Sequence, residues 1–248
     1  MPELYPTVLI DDQSLKAYYR MEAGALTTDS SLNGNTLTNT GTVADGVGKF
    51  GGAADFGSAD ANKALSIASG LGITGGAITM VGWFNISTAL ASGAYYYFIN
   101  QADAGTHVEN FLYYNNNAGT KRVGVERQRA GTSTAQVFYN IDLGTATWYH
   151  IAYVYDLTNV YLYINGVQLT SVASSGNGTA GGTDLMAIGA YYADLTANNL
   201  LGLADDVAIF SRALSVAEIN NLYASSRFTS LQSRVKTGDG MSVNDNAS

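Results

Sequence analysis

Hydrophobic and polar positions alternate along this chain in short runs, and the clearest lie in WYHIAYVYDLTNVYLYINGVQL, residues 148–169. Residues 148–155 are aromatic and β-branched, which predicts a strand. Asp156, Leu157, Thr158 and Asn159 form a short polar turn, and residues 160–164 predict a second strand. Asn165-Gly166 is the strongest short hairpin signal, because both residues accept a positive φ. Residues 167–170 begin a third strand. Strands joined this tightly make an antiparallel meander that needs no helix to cover it, and this sets an all-β fold class.

The rest of the chain carries the same rhythm. Residues 14–22 (SLKAYYRME) predict the first strand, and residues 23–47 are a long Gly, Asn, Thr, Ser and Asp stretch. A segment of that length without structure marks either a function or a bound ion. Residues 48–56 and 64–67 predict short strands, and residues 78–86 another with Trp83 as a core anchor. Residues 95–100, 110–115, 122–127 and 135–139 follow at spacings of about a dozen, and residues 185–190 and 201–210 close the series. Regular short strands of this kind make a sandwich or jelly roll. One short helix is expected, with Ser215 and Glu218 as its capping box and Ala217, Ile219, Leu222 and Tyr223 as its apolar stripe. Both prolines, Pro2 and Pro6, fall at the start of the chain. The expected organisation is an N-terminal arm (1–13), one domain (14–225) and a polar C-terminal tail (226–248) bearing Arg227, Arg234 and Lys236.

Composition narrows the chemistry. Charged residues make up 13% of the 248 residues, about half the usual share, so Thr, Ser, Asn, Gly and Tyr must cover the surface. A net charge of −8 argues against a nucleic-acid partner, since no basic patch is available to displace counterions from phosphates. The absence of Cys removes disulfides, thiolate zinc sites and thiol catalysis. His107 and His150 are the two histidines, too few for a histidine metal site. No apolar run approaches the roughly 20 residues of a membrane span. The start, MPELYPTVLIDDQ, does not read as a secretory signal peptide; the expectation is a trimmed signal or delivery by assembly, as for a virion component.

Five stretches carry a family resemblance in the right order: LKAYYRMEAGALTTDSSLNGN, GKFGGAADF, ITMVGWF, WYHIAYVYDLTNVYLYINGV and LADDVAIFSRALSVAEINNLY. Together they resemble a laminin-G-like, concanavalin A-like jelly-roll domain of the bacterial and phage type over roughly residues 14–225. The resemblance implies a sandwich of two curved antiparallel sheets with one short C-terminal helix, and adjacent N- and C-terminal segments. It would bring the 29–35 loop near Asp205 and Asp206, where relatives often hold a structural Ca²⁺. Ligand chemistry adds its own argument. Calcium takes six to eight oxygens, and Asp29, Asn33 and Asn35, relieved by Gly34, can wrap an ion. Asp205 and Asp206 are expected on opposite sheet faces, so only one would join. The alternative is an Asx-rich turn with two solvated carboxylates. Relatives commonly carry Phe-Asp-Gly where Phe56 here precedes Gly57 directly, leaving Asp55 or Asp60 to compensate.

The same fold houses glycoside hydrolases, which need two suitably spaced carboxyls. None of Glu3, Glu22, Glu109, Glu126 and Glu218 has an acidic partner two or four residues on. Glu126, flanked by Arg122, Arg127 and Arg129, suggests a surface ion pair. No catalytic residues are assigned.

Tyrosine is the positive feature, with 17 copies, among them Tyr95-Tyr96-Tyr97, Tyr113-Tyr114 and Tyr191-Tyr192. Its ring and hydroxyl suit stacking on sugars or filling a protein interface, although cross-strand pairing would use the same residues. Tyr113, Tyr153, Tyr163, Tyr191 and Tyr192 are the candidate ligand-binding residues, with loops 102–106, 115–120 and 191–199. The expected function is a non-catalytic recognition or adhesion module for a glycan or surface receptor, extracellular or on a virion surface. The alternative is a virion decoration subunit whose tails clasp neighbouring subunits.

Overall fold

The computed structural model describes residues 12–225 except 32, 60–61, 69, 74–75, 103–107, 130–131 and 176–183. Most of the expected arm, the tail, His107, Asp60 and loop residues 103–106 therefore lie outside the described residues. The domain opens with β1 (Leu15–Tyr19), β2 (Thr38–Thr40), β3 (Ala44–Val47), β4 (Gly52–Asp55) and β5 (Ala64–Ile67). Then come β6 (Ile78–Ile86), β7 (Tyr95–Ala102), β8 (Val108–Asn117), β9 (Thr120–Arg129) and β10 (Thr132–Asn140). The last elements are β11 (Trp148–Tyr155), β12 (Asn159–Ile164), β13 (Val167–Ala173), β14 (Leu185–Ile188), β15 (Gly202–Phe210) and α1 (Val216–Ala224).

These strands form two antiparallel sheets. One runs β13-β12-β11-β6-β15-β4-β3, with β1 also paired to β15; the other runs β10-β9-β8-β7-β14-β5-β2. Phe84, Tyr153 and Ile209 of the first sheet and Phe98, Leu112 and Met186 of the second are all buried in one core. The rings of Phe84 and Phe98 meet across it at 4.5 Å. The protein is thus an all-β jelly-roll sandwich with, among the described residues, a single α-helix after the last strand, as the alternating pattern implied.

The central meander forms over the expected residues. Asn165 (φ 50°) and Gly166 (φ 79°) make its tight turn, and the Asn165 side chain accepts from the backbone N–H of His150 at 3.0 Å. At the other turn Asp156 Oδ1 accepts from the backbone N–H groups of Thr158 and Asn159 at 2.9 and 2.7 Å. The helix caps as the Ser-x-x-Glu pattern requires, with both reciprocal bonds present.

Several expectations need correction. The helix does cover the meander: Ile219 and Leu222 pack with Val81, Val154 and Tyr163 on the outer face of the first sheet. Ala217 is exposed, whereas Ile219 and Leu222 are buried and Tyr223 stacks on Trp83. Trp83 sits on this same outer face rather than between the sheets, with Phe50, His150 and Tyr223 around it. Residues 48–56 are not one strand. Gly48 donates to the carbonyl of Gly51 at 2.9 Å, and a Cβ on Gly48 would lie 1.9 Å from the Gly52 carbonyl oxygen, so the chain turns there between β3 and β4. The 23–47 stretch is likewise more ordered than its composition suggests, since it contributes β2 and β3 to opposite sheets.

Candidate functional site

The outer face of the second sheet is built from three cross-strand rows. Tyr97 pairs with Tyr113, Tyr113 with Gly124, and Gly124 with Phe138, so one row crosses four strands. On one side of it lie Tyr95, Asn115, Arg122 and Asn140; on the other lie Asn100, Phe111, Glu126 and Gln136. An aromatic row is therefore bordered by rows that combine polar side chains with Tyr95 and Phe111. The register follows from the β8–β9 hairpin, whose turn places Ala118 (φ 51°) and Gly119 (φ 92°) in the left-handed region. Because side chains alternate between faces, every second residue of each strand joins this surface.

Gly124 leaves the gap that the rings occupy. A Cβ there would meet the rings of Tyr113 and Phe138 at 2.8 and 2.9 Å. Tyr97 lies 5.6 Å from Tyr113 and 5.0 Å from Tyr191, and Phe111 lies 5.9 Å from Tyr192. The loop after β14 thus brings Tyr191 and Tyr192 onto the row. Tyr113 is buried, Tyr97, Tyr191, Tyr192 and Phe138 are partly exposed, and Tyr95 is exposed. None of the described helices covers this face, in contrast to the first sheet.

Polar groups run through the rings. Glu126 Oε2 accepts from Gln136 at 2.8 Å and its Oε1 accepts from Gln128 at 2.8 Å. Gln136 also donates to the Tyr113 hydroxyl at 3.0 Å. The Arg122 guanidinium lies 3.6 Å from the Phe138 ring centroid, and its Nε donates to Asn115 at 3.0 Å. Burial, and then the carboxylate of Glu126, push the Tyr113 hydroxyl well above the usual phenol range, and burial does the same for Tyr97. Both therefore remain protonated donors across ordinary pH.

The expectation that Glu126 forms a surface ion pair is not met by Arg122 or Arg127. Glu126 is only 8% exposed, and Arg127 points into the sandwich, over the Tyr155 ring at 3.8 Å and onto Asn110 Oδ1 at 2.7 Å.

Of the five candidate tyrosines, three meet here: Tyr113, Tyr191 and Tyr192. Tyr153 is 0% exposed between the sheets, where its hydroxyl donates to Asn110 at 2.7 Å. Tyr163 lies beneath α1 and donates to Gln168 at 3.2 Å. Both belong to strands covered on their two faces, the inner by the sandwich and the outer by the helix. Tyr95, Tyr97, Phe111 and Phe138 were missed as site residues. The signal for them was the alternation within β7, β8 and β10 combined with the hairpin register.

The expected calcium ligands are arranged otherwise than as one ligand set. Asp29 uses its carboxylate to accept from the backbone N–H groups of Tyr18 (3.0 Å), Ser31 (2.8 Å) and Asn35 (2.9 Å). Asn33 and Asn35 direct their amide N–H groups to the carbonyls of Leu15 and Lys16 at 2.8 and 2.7 Å. Asp206 accepts from the Tyr18 hydroxyl at 2.8 Å, and Asp205 accepts from the Phe50 backbone N–H at 2.9 Å. Tyr18 thus stands between the loop and the pair, one end on each. The pair does not alternate as expected: Asp206 has φ 46° and the register shifts between Asp205 and Ala208. This bulge lets both carboxylates face the helix side of the sheet. Asp55 accepts from the backbone N–H of Gly57 at 2.7 Å. No group of three or more acidic or histidine side chains converges among the described residues. As placed, Asp29, Asn33 and Asn35 clasp the 29–35 loop onto β1, and the five residues do not fit a single ion.

Comparison with known proteins agrees with the architecture. Domain 4 of AbnA, a GH43 extracellular arabinanase from Geobacillus stearothermophilus solved with arabinotriose, superposes with a TM-score of 0.63 at 20% identity, over 85% of this chain and 98% of that one. The ligand-binding domain of botulinum neurotoxin serotype D, solved with N-acetylneuraminic acid, gives a TM-score of 0.64 at 16% identity, over 88% of this chain and 52% of that one. The binding domain of botulinum neurotoxin DC, solved with rat synaptotagmin II, gives 0.63 at 14% identity, covering 87% and 52%. The chain thus spans about half the length of the two toxin domains. At these identities the likeness is one of fold. No curated protein matches the chain in sequence. Residues 57–220, about two thirds of the chain, match the family profile, and the chain belongs to the concanavalin A-like lectin/glucanases superfamily.

Proposed function

We propose that this protein is a non-catalytic carbohydrate-binding module whose ligand lies across the aromatic row of the second sheet. The observation that carries the reading is the row itself: Tyr97, Tyr113 and Phe138 aligned across β7 to β10 and bordered by amides, a carboxylate and a guanidinium. A sugar ring has apolar C–H faces and a rim of hydroxyls, so it needs flat rings with hydrogen-bonding groups beside them. The rings are held by mutual contacts, and this lowers the ordering cost of binding. Solved neighbours bound to arabinotriose and N-acetylneuraminic acid support the same class of ligand. A domain of this kind would act outside the cell, and no helix among the described residues is long and apolar enough to cross a membrane.

A glycan array on the intact protein tests this, followed by calorimetry with the best ligand and an assay for newly released reducing ends. The reading expects binding to a defined sugar class without cleavage. Cleavage would instead assign a hydrolytic role to Glu126 on the same face. No binding to any glycan would remove the reading.

A further inference from the structure

Beside the Tyr97 end of the aromatic row lies a groove of about 260 Å³, lined by Thr88, Ala89, Ala91, Tyr95, Asn198 and Leu201 among others. We infer that this groove is a subsite for the terminal sugar of the bound glycan, so that the protein recognises chain ends. The inference rests on the aromatic row being the glycan platform and specifies where the ligand stops.

Continuity comes from Tyr95. Its ring is stacked beside Tyr97 at 6.2 Å and 16°, and lies 5.8 Å from Tyr113, so it belongs to the aromatic face while also forming one wall of the groove. A ligand that passes from Tyr97 to Tyr95 along β7 meets the groove next. Size is the second argument. Small-molecule sites measure roughly 300–1,000 Å³, and this groove falls just under that range, which suits one sugar ring rather than several. Its opposite walls come from two loops. Residues 88–94 supply the alanines, whose short side chains leave the space open, and residues 198–201 supply Asn198 and Leu201.

The walls are fixed before any ligand arrives. Asn116 donates from its backbone N–H to the Ala94 carbonyl at 3.1 Å and from its side chain to the Leu90 carbonyl at 3.0 Å, tying the first loop to the β8–β9 hairpin. The second loop is held by Asn199, whose amide donates to the carbonyls of Lys63 and Leu195 at 2.8 and 3.0 Å. It is joined to β7 by the Tyr97 N–H, which donates to the Asn198 carbonyl at 3.3 Å. The same loop carries Tyr191 and Tyr192 onto the face, so platform and groove share one scaffold. Asn198 is exposed at the rim and offers an amide to ring hydroxyls.

The test is calorimetry with arabino-, xylo- and cello-oligosaccharides of about one to six units and with sialyllactose. Ala89→Trp, Ala91→Trp and Phe138→Ala are compared with the unsubstituted protein. Ala89 and Ala91 are exposed, so a bulky side chain there fills the groove without entering the core. Two substitutions guard against one indole turning away, and melting curves establish that each variant folds. The inference expects both tryptophans to weaken short and long ligands alike, by about tenfold or more, while Phe138→Ala, at the far end of the row, weakens only the longer ones. If both tryptophan variants bind as the parent does and Phe138→Ala still weakens binding, the terminal subsite is wrong and the platform stands. If the parent binds none of the probes and no glycan on the array, both fall.

Discussion

Gly124 lies directly beneath the ring of Tyr113: a Cβ there would stand 2.8 Å from two of the ring's carbons. The absent side chain is what lets Tyr113 and Phe138 lean together over β9. Gly124→Val is therefore expected to push both rings out of line. Overpacking of this kind costs about 1–3 kcal/mol. A lowered melting temperature together with weakened glycan binding, read by calorimetry, is the expected outcome.

Tyr113 and Tyr153 offer a contrast between site and scaffold. Tyr153 is fully buried between the sheets, and its hydroxyl shares Asn110 Oδ1 with Arg127. Tyr153→Ala should cost about 3–5 kcal/mol, as large aromatic truncations in cores do. Tyr113→Phe keeps its ring but loses the hydroxyl that accepts from Gln136. It should change the denaturation midpoint little and the enthalpy of glycan binding more. Chemical denaturation and calorimetry on the two variants separate these roles.

His150 makes folding pH-dependent. It is buried among Trp83 and Tyr223, its Nδ1 has no hydrogen-bond partner among the described residues, and burial lowers its pKa from 6.5 to about 3. Asp206 lines the same cavity. Between those two values the unfolded chain takes up a proton that the folded chain refuses. Stability from this group is thus complete above pH 6.5 and falls as pH drops towards 3, by up to about 1.4 kcal/mol per unit. His150→Phe, which keeps a ring between the neighbouring rings, should flatten the pH dependence of urea midpoints over that window. An unchanged slope would exclude His150 as its source.

Asp29 collects three backbone N–H groups and so holds the 29–35 loop against β1. Asp29→Ala leaves those donors without their acceptor and is expected to cost about 2 kcal/mol. The loss should be the same with added Ca²⁺ and with EDTA, because the carboxylate is serving the backbone. A melting temperature of the parent protein that falls in EDTA and recovers with Ca²⁺ would overturn this account of the loop.

How much of this was legible differs from element to element. The meander was readable because Asn165-Gly166 and the Asp156 turn fix their own geometry locally, and α1 because Ser215 and Glu218 cap it locally. The clasp of Asp29 on Tyr18 and Ser31 was partly visible as an Asx-rich turn. The bulge at Asp206 was not, since a positive φ at a non-glycine residue inside a strand leaves no pattern. The site was half legible. Tyrosine doublets pointed to Tyr113, Tyr191 and Tyr192, but periodicity alone cannot say which face of a strand is covered. Tyr153 and Tyr163 lie in the clearest part of the chain, and that part is enclosed on both sides, Tyr153 between the sheets and Tyr163 beneath α1. Tyr97 and Phe138 required the register, which the Ala118-Gly119 turn sets by pairing Asn117 with Thr120.

The most direct test of the platform compares the parent protein with Tyr97→Ala and Phe138→Ala on the best array ligand, with melting curves measured alongside. The account predicts that the parent binds a glycan, that Tyr97→Ala loses about tenfold or more in affinity, and that both variants remain folded. Parent-like affinity in both folded variants, or no glycan bound by the parent at all, would contradict it.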